Sequence, residues 1–288
     1  MKLLGFVFVT VCVFGGYILA GGKMEPILKA LPYEIMIIGG AAVGAFYVAN
    51  TMHTIKATLK GMGCLIKPEA HDKESYLELF SVLYMVFKLA RTKGWLALES
   101  HIEDPENSEL FGQFPGFHEN HHAIAFLCDY LRIISLGNEN PHEIEALMDE
   151  ELETLEHEKM HPAHAVQTMA DGIPALGIVA AVLGVIKTMG SITEPPEVLG
   201  KMIGGALVGT FLGVFLAYGF VGPLAGALGA RGESEIIYYR CIKVAVLSFL
   251  NGAAPQVAVE FSRKFLPHHI QPDFNELEEK LNELPSPG

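Results

Sequence analysis

Over long distances this 288-residue sequence lacks charge. No Asp, Glu, Lys or Arg occurs between Lys201 and Arg231, and none occurs over residues 3–22. Charged residues make up 18% of the chain, against about 25% in a typical soluble protein, which excludes an ordinary water-exposed fold for a large part of it. Positive charge is scarcer still. A formal net charge of −13 disfavours a nucleic-acid partner and favours a basic protein partner for the charged segments. Cysteine is sparse and scattered: Cys12, Cys64, Cys128 and Cys241 form no C-x-x-C pair. They read as small buried hydrophobes, which argues against a disulfide or zinc framework. His118, His121 and His122 do form H-x-x-H-H, but Gly112, Pro115 and Gly116 mark residues 106–119 as a loop and no H-E-x-x-H helix is present, so no metal is expected. A nucleotide loop, a nucleophile elbow and a paired catalytic carboxylate are all missing. The sequence therefore predicts no enzyme and no cofactor.

What the chain does have is apolar runs. Residues 173–189 and 202–230 are joined by a short polar connection containing Pro195 and Pro196. Since roughly 20 apolar residues suffice to cross a bilayer, this is a membrane hairpin. Residues 3–22 fit either a secretory signal or a span; Ile18 and Ala20 match a cleavage site poorly, so a retained first span is expected. A turn over 21–33, with Pro26 and Pro32, leads to a second span over 34–50. There Gly40 and Gly44 give the small-xxx-small spacing that lets helices approach closely in lipid. Pro174 and Pro223 sit toward one side of the membrane in the antiparallel hairpin, where each is either a hinge or a plain kink.

The basic residues orient the chain. Lys2, Lys56, Lys60, Lys67, Arg231, Arg240 and Lys243 outnumber Lys23, Lys29 and Lys201 on the other side, with Lys187 near the end of its span. The positive-inside rule then places both termini and the middle segment in the cytoplasm. The expected fold is all-α: an integral membrane protein with four transmembrane helices and a helical cytoplasmic domain. Residues 1–52 carry spans one and two, 53–170 the cytoplasmic domain, 171–230 the hairpin, and 231–288 a cytoplasmic helix and tail. Within the middle segment, 77–89 reads as a buried helix, 95–102 as a helix closed by Pro105, and 123–136 as a helix pairing Asp129 with Arg132. Ile144, Leu147, Met148, Leu152 and Leu155 recur at helical spacing, so 143–158 is expected to be amphipathic. A further helix is expected over 233–251, broken by Pro255, and a weakly held one over 272–284.

A second absence concerns proton chemistry. Ionisable groups inside a membrane are costly and are kept for function, yet no span shows a carboxylate or histidine near its middle. Asp171 stands at the cytoplasmic entrance of the third span and Glu34 at the outer edge of the second, while Thr210 is a mid-span hydroxyl. If the protein belongs to an ion path, the central carboxylate has to come from another chain. Gly205, Gly209 and Gly213 repeat every four residues, as do the small residues Gly177 with Ala181 and Ala180 with Gly184. Such stripes serve packing among the four spans, or against further copies or a foreign helix.

The segments MADGIPALGIVAAVLGVIKTMGS and GGALVGTFLGVFLAYGFVGPLAGAL, with ARTKGWLALESHIEDP and NGAAPQVAVEFSRK, resemble the flagellar-stator members of the MotA/TolQ/ExbB group over nearly the whole chain. The resemblance implies a homopentamer in the bacterial inner membrane. It surrounds the helices of a MotB-type, peptidoglycan-anchored partner whose aspartate carries the proton. It implies coupling by Pro174 and Pro223, an acidic channel mouth at Asp171, and contact of Arg91 and Glu99 with the rotor protein FliG. Without the family, Arg91 and Glu99 read as ordinary solvated charges. Sodium-driven relatives tend to carry a threonine where this chain has Ala181, and alanine offers no oxygen to a cation, so protons are expected ahead of sodium; Thr210 keeps the second reading open. The rival within the group is an ExbB- or TolQ-like energiser of envelope transport, with three spans and the opposite amino-terminal orientation. Outside the group the rivals are a self-sufficient transporter and a passive scaffold.

Overall fold

The structure is a computed structural model that describes residues 2–65 and 71–285. Lys67 and the side chain of Lys2, both used in the orientation argument, lie outside the described residues. Proline and glycine set most of the helix boundaries. Helix α1, Lys2–Leu19, is followed by Gly21 at φ +82°, a left-handed conformation that glycine adopts at least cost. Helix α2 spans Glu25–Ala49. Most of the turn expected over 21–33 is thus helix: Pro26 occupies the first turn, where no N–H is needed, and Lys29 pairs with Glu25 one turn back at 2.6 Å. A π-turn, Ile35–Gly39, interrupts the α-helical bonding of α2 immediately after Glu34. Helix α3, Met52–Cys64, is capped by the Thr51 hydroxyl.

Helix α4, Lys73–Lys93, starts at the Asp72 cap and ends at Gly94, φ +83°. After a 3-10 turn at Trp95–Leu98 come α5, Glu99–Glu103, α6, Pro115–His118, and α7, His121–Ser135. The stretch 106–119 is therefore more ordered than the expected loop. Phe111, Phe114 and Phe117 are all buried, and the 3-10 turn Phe111–Gln113 and α6 let them turn inward together. His118 ends α6 within the expected loop, and His121 and His122 open α7 two residues before the helix expected from 123. Helix α8, Pro141–Met189, and α9, Pro196–Leu250, are long, and the latter contains a second π-turn at Ala217–Val221. Helix α10, Pro255–Phe265, and α11, Phe274–Asn282, complete the chain.

Two compact units divide these elements: residues 1–68 with 160–231, and residues 69–159 with 232–288. Among its described residues the first holds three helical segments long and apolar enough to span a bilayer, on α2, α8 and α9, with the shorter apolar α1. The second is organised on α4, whose Tyr76, Leu79, Phe80, Leu83, Val86 and Phe87 are each 0% exposed. The same core takes in Leu127 and Leu131 of α7, Ile144, Met148 and Leu152 of α8, and Cys241 and Ile242 of α9. The expected Asp129–Arg132 pair is present at 2.7 Å, and Arg132 also reaches Glu103 at 2.7 Å. The hydrogen bond that Arg132 donates to Glu103, and the charges of Glu103 and Asp129, raise the Arg132 pKa further. The tail is better held than expected. Asp273 and Glu276 form a capping box at the start of α11, Lys73 donates to Glu276 at 2.7 Å, and Leu277 and Leu281 are buried.

Candidate functional site

In the membrane unit, glycine brings α8 and α9 into backbone contact. A methyl group on Gly177 would lie 2.8 Å from the Gly209 carbonyl oxygen and 3.0 Å from the Gly213 Cα, and one on Gly184 would lie 2.6 Å from the Ala206 Cβ. These distances leave no room for a side chain. The third helix of the junction is α2. A methyl on Gly209 would stand 2.8 Å from Oε2 of Glu34, 3.1 Å from the Ala180 Cβ and 3.1 Å from the Ala181 backbone nitrogen. Around this point Ile38 and Ala42 of α2 pack with Ile173 and Ala180 of α8 and Leu212 and Ala217 of α9. Gly209, Gly213 and Ala181 thus belong to one contact layer, with Thr210 half-buried beside it. Nothing within 4 Å would meet a Cβ on Gly205, Gly40 or Gly44, so these three do not pack closely within the chain.

Pro174 and Pro223 each sit inside a continuous helix. Pro174 is half-buried in α8, and Pro223 is exposed in α9 just after the π-turn Ala217–Val221. A proline has no N–H for the carbonyl four residues back and its ring crowds that carbonyl, so the backbone bonding upstream loosens. The π-turn ahead of Pro223 is the visible form of that loosening. Asp171 is exposed, one turn before Pro174, and accepts a 2.8 Å hydrogen bond from the Gln167 amide.

In the other unit Arg91 and Glu99 are both exposed. Arg91 lies in the last turn of α4, and its Nη1 donates to the carbonyl oxygens of Ala253, at 2.9 Å, and Gly252, at 3.4 Å. Gly252 takes φ +91° in the turn between α9 and α10. The guanidinium is therefore tied to backbone as well as open to solvent. Glu99 opens α5.

Glu34 is the residue that reading the sequence underrated. It is the tenth residue of α2, 7% exposed, and level with Gly209 and Ala180 well inside the apolar runs, not at the edge of a span. Proline at position 26 and the Glu25–Lys29 spacing are start signals for a helix nine residues earlier than hydropathy places it.

Residues 3–94 match the family model described as motility protein A N-terminal, and residues 119–240 match that of the MotA/TolQ/ExbB proton channel family. Across 99% of its length the chain is 43% identical to Motility protein A of Salmonella typhimurium, covering 96% of that protein. The chain belongs to the MotA/TolQ/ExbB proton channel family. Members of this family are channel and stator proteins, and the chain is a multi-pass membrane protein, not an enzyme. It is also similar to a chain of the flagellar MotAB stator complex from Bacillus subtilis, at 27% identity and a TM-score of 0.72 over 92% of this chain and 95% of that one. A chain of C. jejuni MotAB shares the fold at a TM-score of 0.73 and 23% identity, over 93% and 95% of the two chains.

Proposed function

We propose that the chain is the A-type stator subunit of a bacterial flagellar motor, which with a MotB-type partner forms a proton-conducting complex that turns ion-motive force into torque. The observation that carries this reading is the end-to-end 43% identity to Motility protein A. It is supported by the likeness to the MotAB stator complex of B. subtilis.

In this mechanism the partner contributes an intramembrane aspartate, which takes a proton from outside and releases it toward the cytoplasm. Copies of the present chain, five by the family's arrangement, surround the partner's helices. Gly40, Gly44 and Gly205, where an added Cβ would meet no described atom within 4 Å, are the small residues available for contact with neighbouring helices. Pro174 and Pro223 are the yielding points. Each removes a backbone hydrogen bond from a helix of the hairpin, so α8 and α9 bend there at low cost when the charge on the partner's aspartate changes. Asp171 draws the released proton to the cytoplasmic mouth. Ala181 in place of a hydroxyl side chain suits a proton and not a partly dehydrated sodium ion. Both termini and residues 53–170 face the cytoplasm, where Arg91 and Glu99 meet the rotor protein FliG; Arg91, held on the Gly252–Ala253 turn, passes force directly into the backbone between α9 and α10.

Replacing Pro174 and Pro223 together by alanine restores both backbone hydrogen bonds without adding bulk. The double variant is expected to copurify with the MotB-type partner from membranes as the natural chain does, while swimming is lost. Normal swimming with intact copurification would overturn the coupling role of the two prolines.

A further inference from the structure

Among the described residues of the membrane unit, one buried side-chain polar atom lacks a hydrogen-bond partner, and it is Oε2 of Glu34. The carboxyl is more than nine-tenths buried and aimed at Gly209, where α2, α8 and α9 converge. Among the described residues, no compensating charge lies beside it on the elements packed there. Helix α8 has no ionisable residue between Asp171 and Lys187, and α9 has none between Lys201 and Tyr218. On α2 the nearest are Lys29 and Tyr33, both exposed, and Lys29 is engaged with Glu25. A second, independent feature marks the same place. The π-turn Ile35–Gly39 begins at the next residue, and π-turns within helices concentrate at functional sites because they re-aim side chains at a cost in backbone bonding. An ionisable group at membrane depth with no structural partner is itself a mark of function.

We propose that Glu34 is a proton-binding site of this chain, distinct from any carboxylate a partner supplies, and that its occupancy by a proton is coupled to the close packing of α2 on the Gly209 face of the hairpin. The step is simple and balanced: one carboxylate oxygen takes up a proton and gives the same proton back to water or to a neighbouring acceptor. Burying an ionised carboxylate without a counter-charge is strongly unfavourable. Loss of the proton therefore drives the carboxyl away from Gly209 and toward water, and uptake lets α2 close on Ala180, Ala181 and Gly209. Thr210, half-buried and next in sequence to Gly209, carries the one side-chain oxygen of α9 between Lys201 and Tyr218 and is the candidate group for passing the proton on. The site belongs to the single chain and stands whether or not the stator mechanism above is right.

The test is infrared spectroscopy of the full-length chain in lipid membranes at neutral pH, with a partner whose own intramembrane aspartate is replaced by asparagine so that its acid C=O band does not overlap. Solvated carboxylates are ionised there and contribute no acid C=O stretch. The natural chain is expected to show the C=O band of a protonated carboxylic acid that shifts on exchange into D2O, is lost in Glu34→Gln, and returns in Glu34→Asp. A natural chain without the band, or a band that persists in Glu34→Gln, overturns the proposal. Should Glu34→Gln fail to insert, Gly209→Ala serves instead. Its methyl has to displace the carboxyl, so the band is expected to move, and an unmoved band overturns the coupling to packing.

Discussion

The two units of this chain bury opposite kinds of residue. In residues 69–159 and 232–288 the interior is large and apolar: Tyr76, Phe80, Phe87, Phe111, Leu127 and Leu131 are buried almost completely. In residues 1–68 and 160–231 many large apolar side chains point outward, with Val48 91% and Leu19 90% exposed, while Gly177, Ala180, Gly209, Gly213, Thr54, Thr58 and Glu34 are inside beside a few aliphatic residues such as Ile38, Ile173 and Leu212. Water explains the first pattern, since removing apolar surface from it is worth about 25 cal/mol per Å². No comparable force acts between helices in hydrocarbon, where lipid tails are as apolar as leucine and close backbone approach has to hold the helices together. Hydrophobicity therefore tells which solvent a segment meets, and residue size tells which face of a membrane helix is buried.

The strongest way to break the comparison is to enlarge a buried small residue in one unit and truncate a buried large one in the other. Gly177→Val places atoms against the backbone of Gly209 and Gly213, which cannot rotate out of the way as a side chain can. The expected result is loss of the packed α8–α9 pair, seen as loss of the chain from the membrane fraction or as aggregation in mild detergent. A stable, well-behaved Gly177→Val protein would mean that the backbone contact does not hold the unit together. Phe80→Ala is the reciprocal change. Phe80 is 0% exposed, so the change leaves a cavity and is expected to lower the stability of its unit by about 3–5 kcal/mol. Denaturant unfolding of the membrane-embedded protein, followed by proteolysis of α4, measures it; a change under about 1 kcal/mol would show that water-driven burial is not what organises this unit.

The same contrast explains what could be seen in the sequence. The hairpin, the buried α4 and the Asp129–Arg132 pair were all legible, because each rests on a periodicity or a length that has no other reading. The start of α2 was not. Lys29, Pro32, Tyr33 and Glu34 depress hydropathy, so an apolarity count stops at residue 34, although the helix has already run since Glu25. The family likeness supplied roles for Pro174, Pro223, Arg91 and Glu99, but could not reveal that Arg91 is bonded to the backbone of Gly252 and Ala253, a contact between residues 161 and 162 positions apart. The tail looked weakly held for a similar reason. Its polar residues are engaged by partners far away in sequence, and only Leu277 and Leu281 announce that one face is buried.

That tail supplies the finest test of the comparison, because charge pairing in the water-exposed unit responds to pH through ordinary solvated groups. Glu276 accepts from Lys73 and from the Asp273 backbone N–H, and the Lys73 hydrogen bond first, then the Asp273 bond, lower its pKa below the ordinary carboxylate value of 4.5. The sign follows from linkage: a carboxyl with a lower pKa when folded than when unfolded adds stability that is fully present above the unfolded value and disappears as pH falls through the folded one. The docking of α11 is thus expected to be insensitive to pH near neutrality and to weaken only in acid. Since Lys73 and Glu276 are both close to half exposed, the effect is small and screened by salt. Amide hydrogen exchange in 274–282 reads it directly, after correction for the intrinsic pH dependence of exchange. Protection should fall on acidification in the natural chain, and Glu276→Gln should start lower at neutral pH and lose less. Equal acid sensitivity in the two proteins would assign the response to other carboxylates and leave α11 held by Leu277 and Leu281 alone.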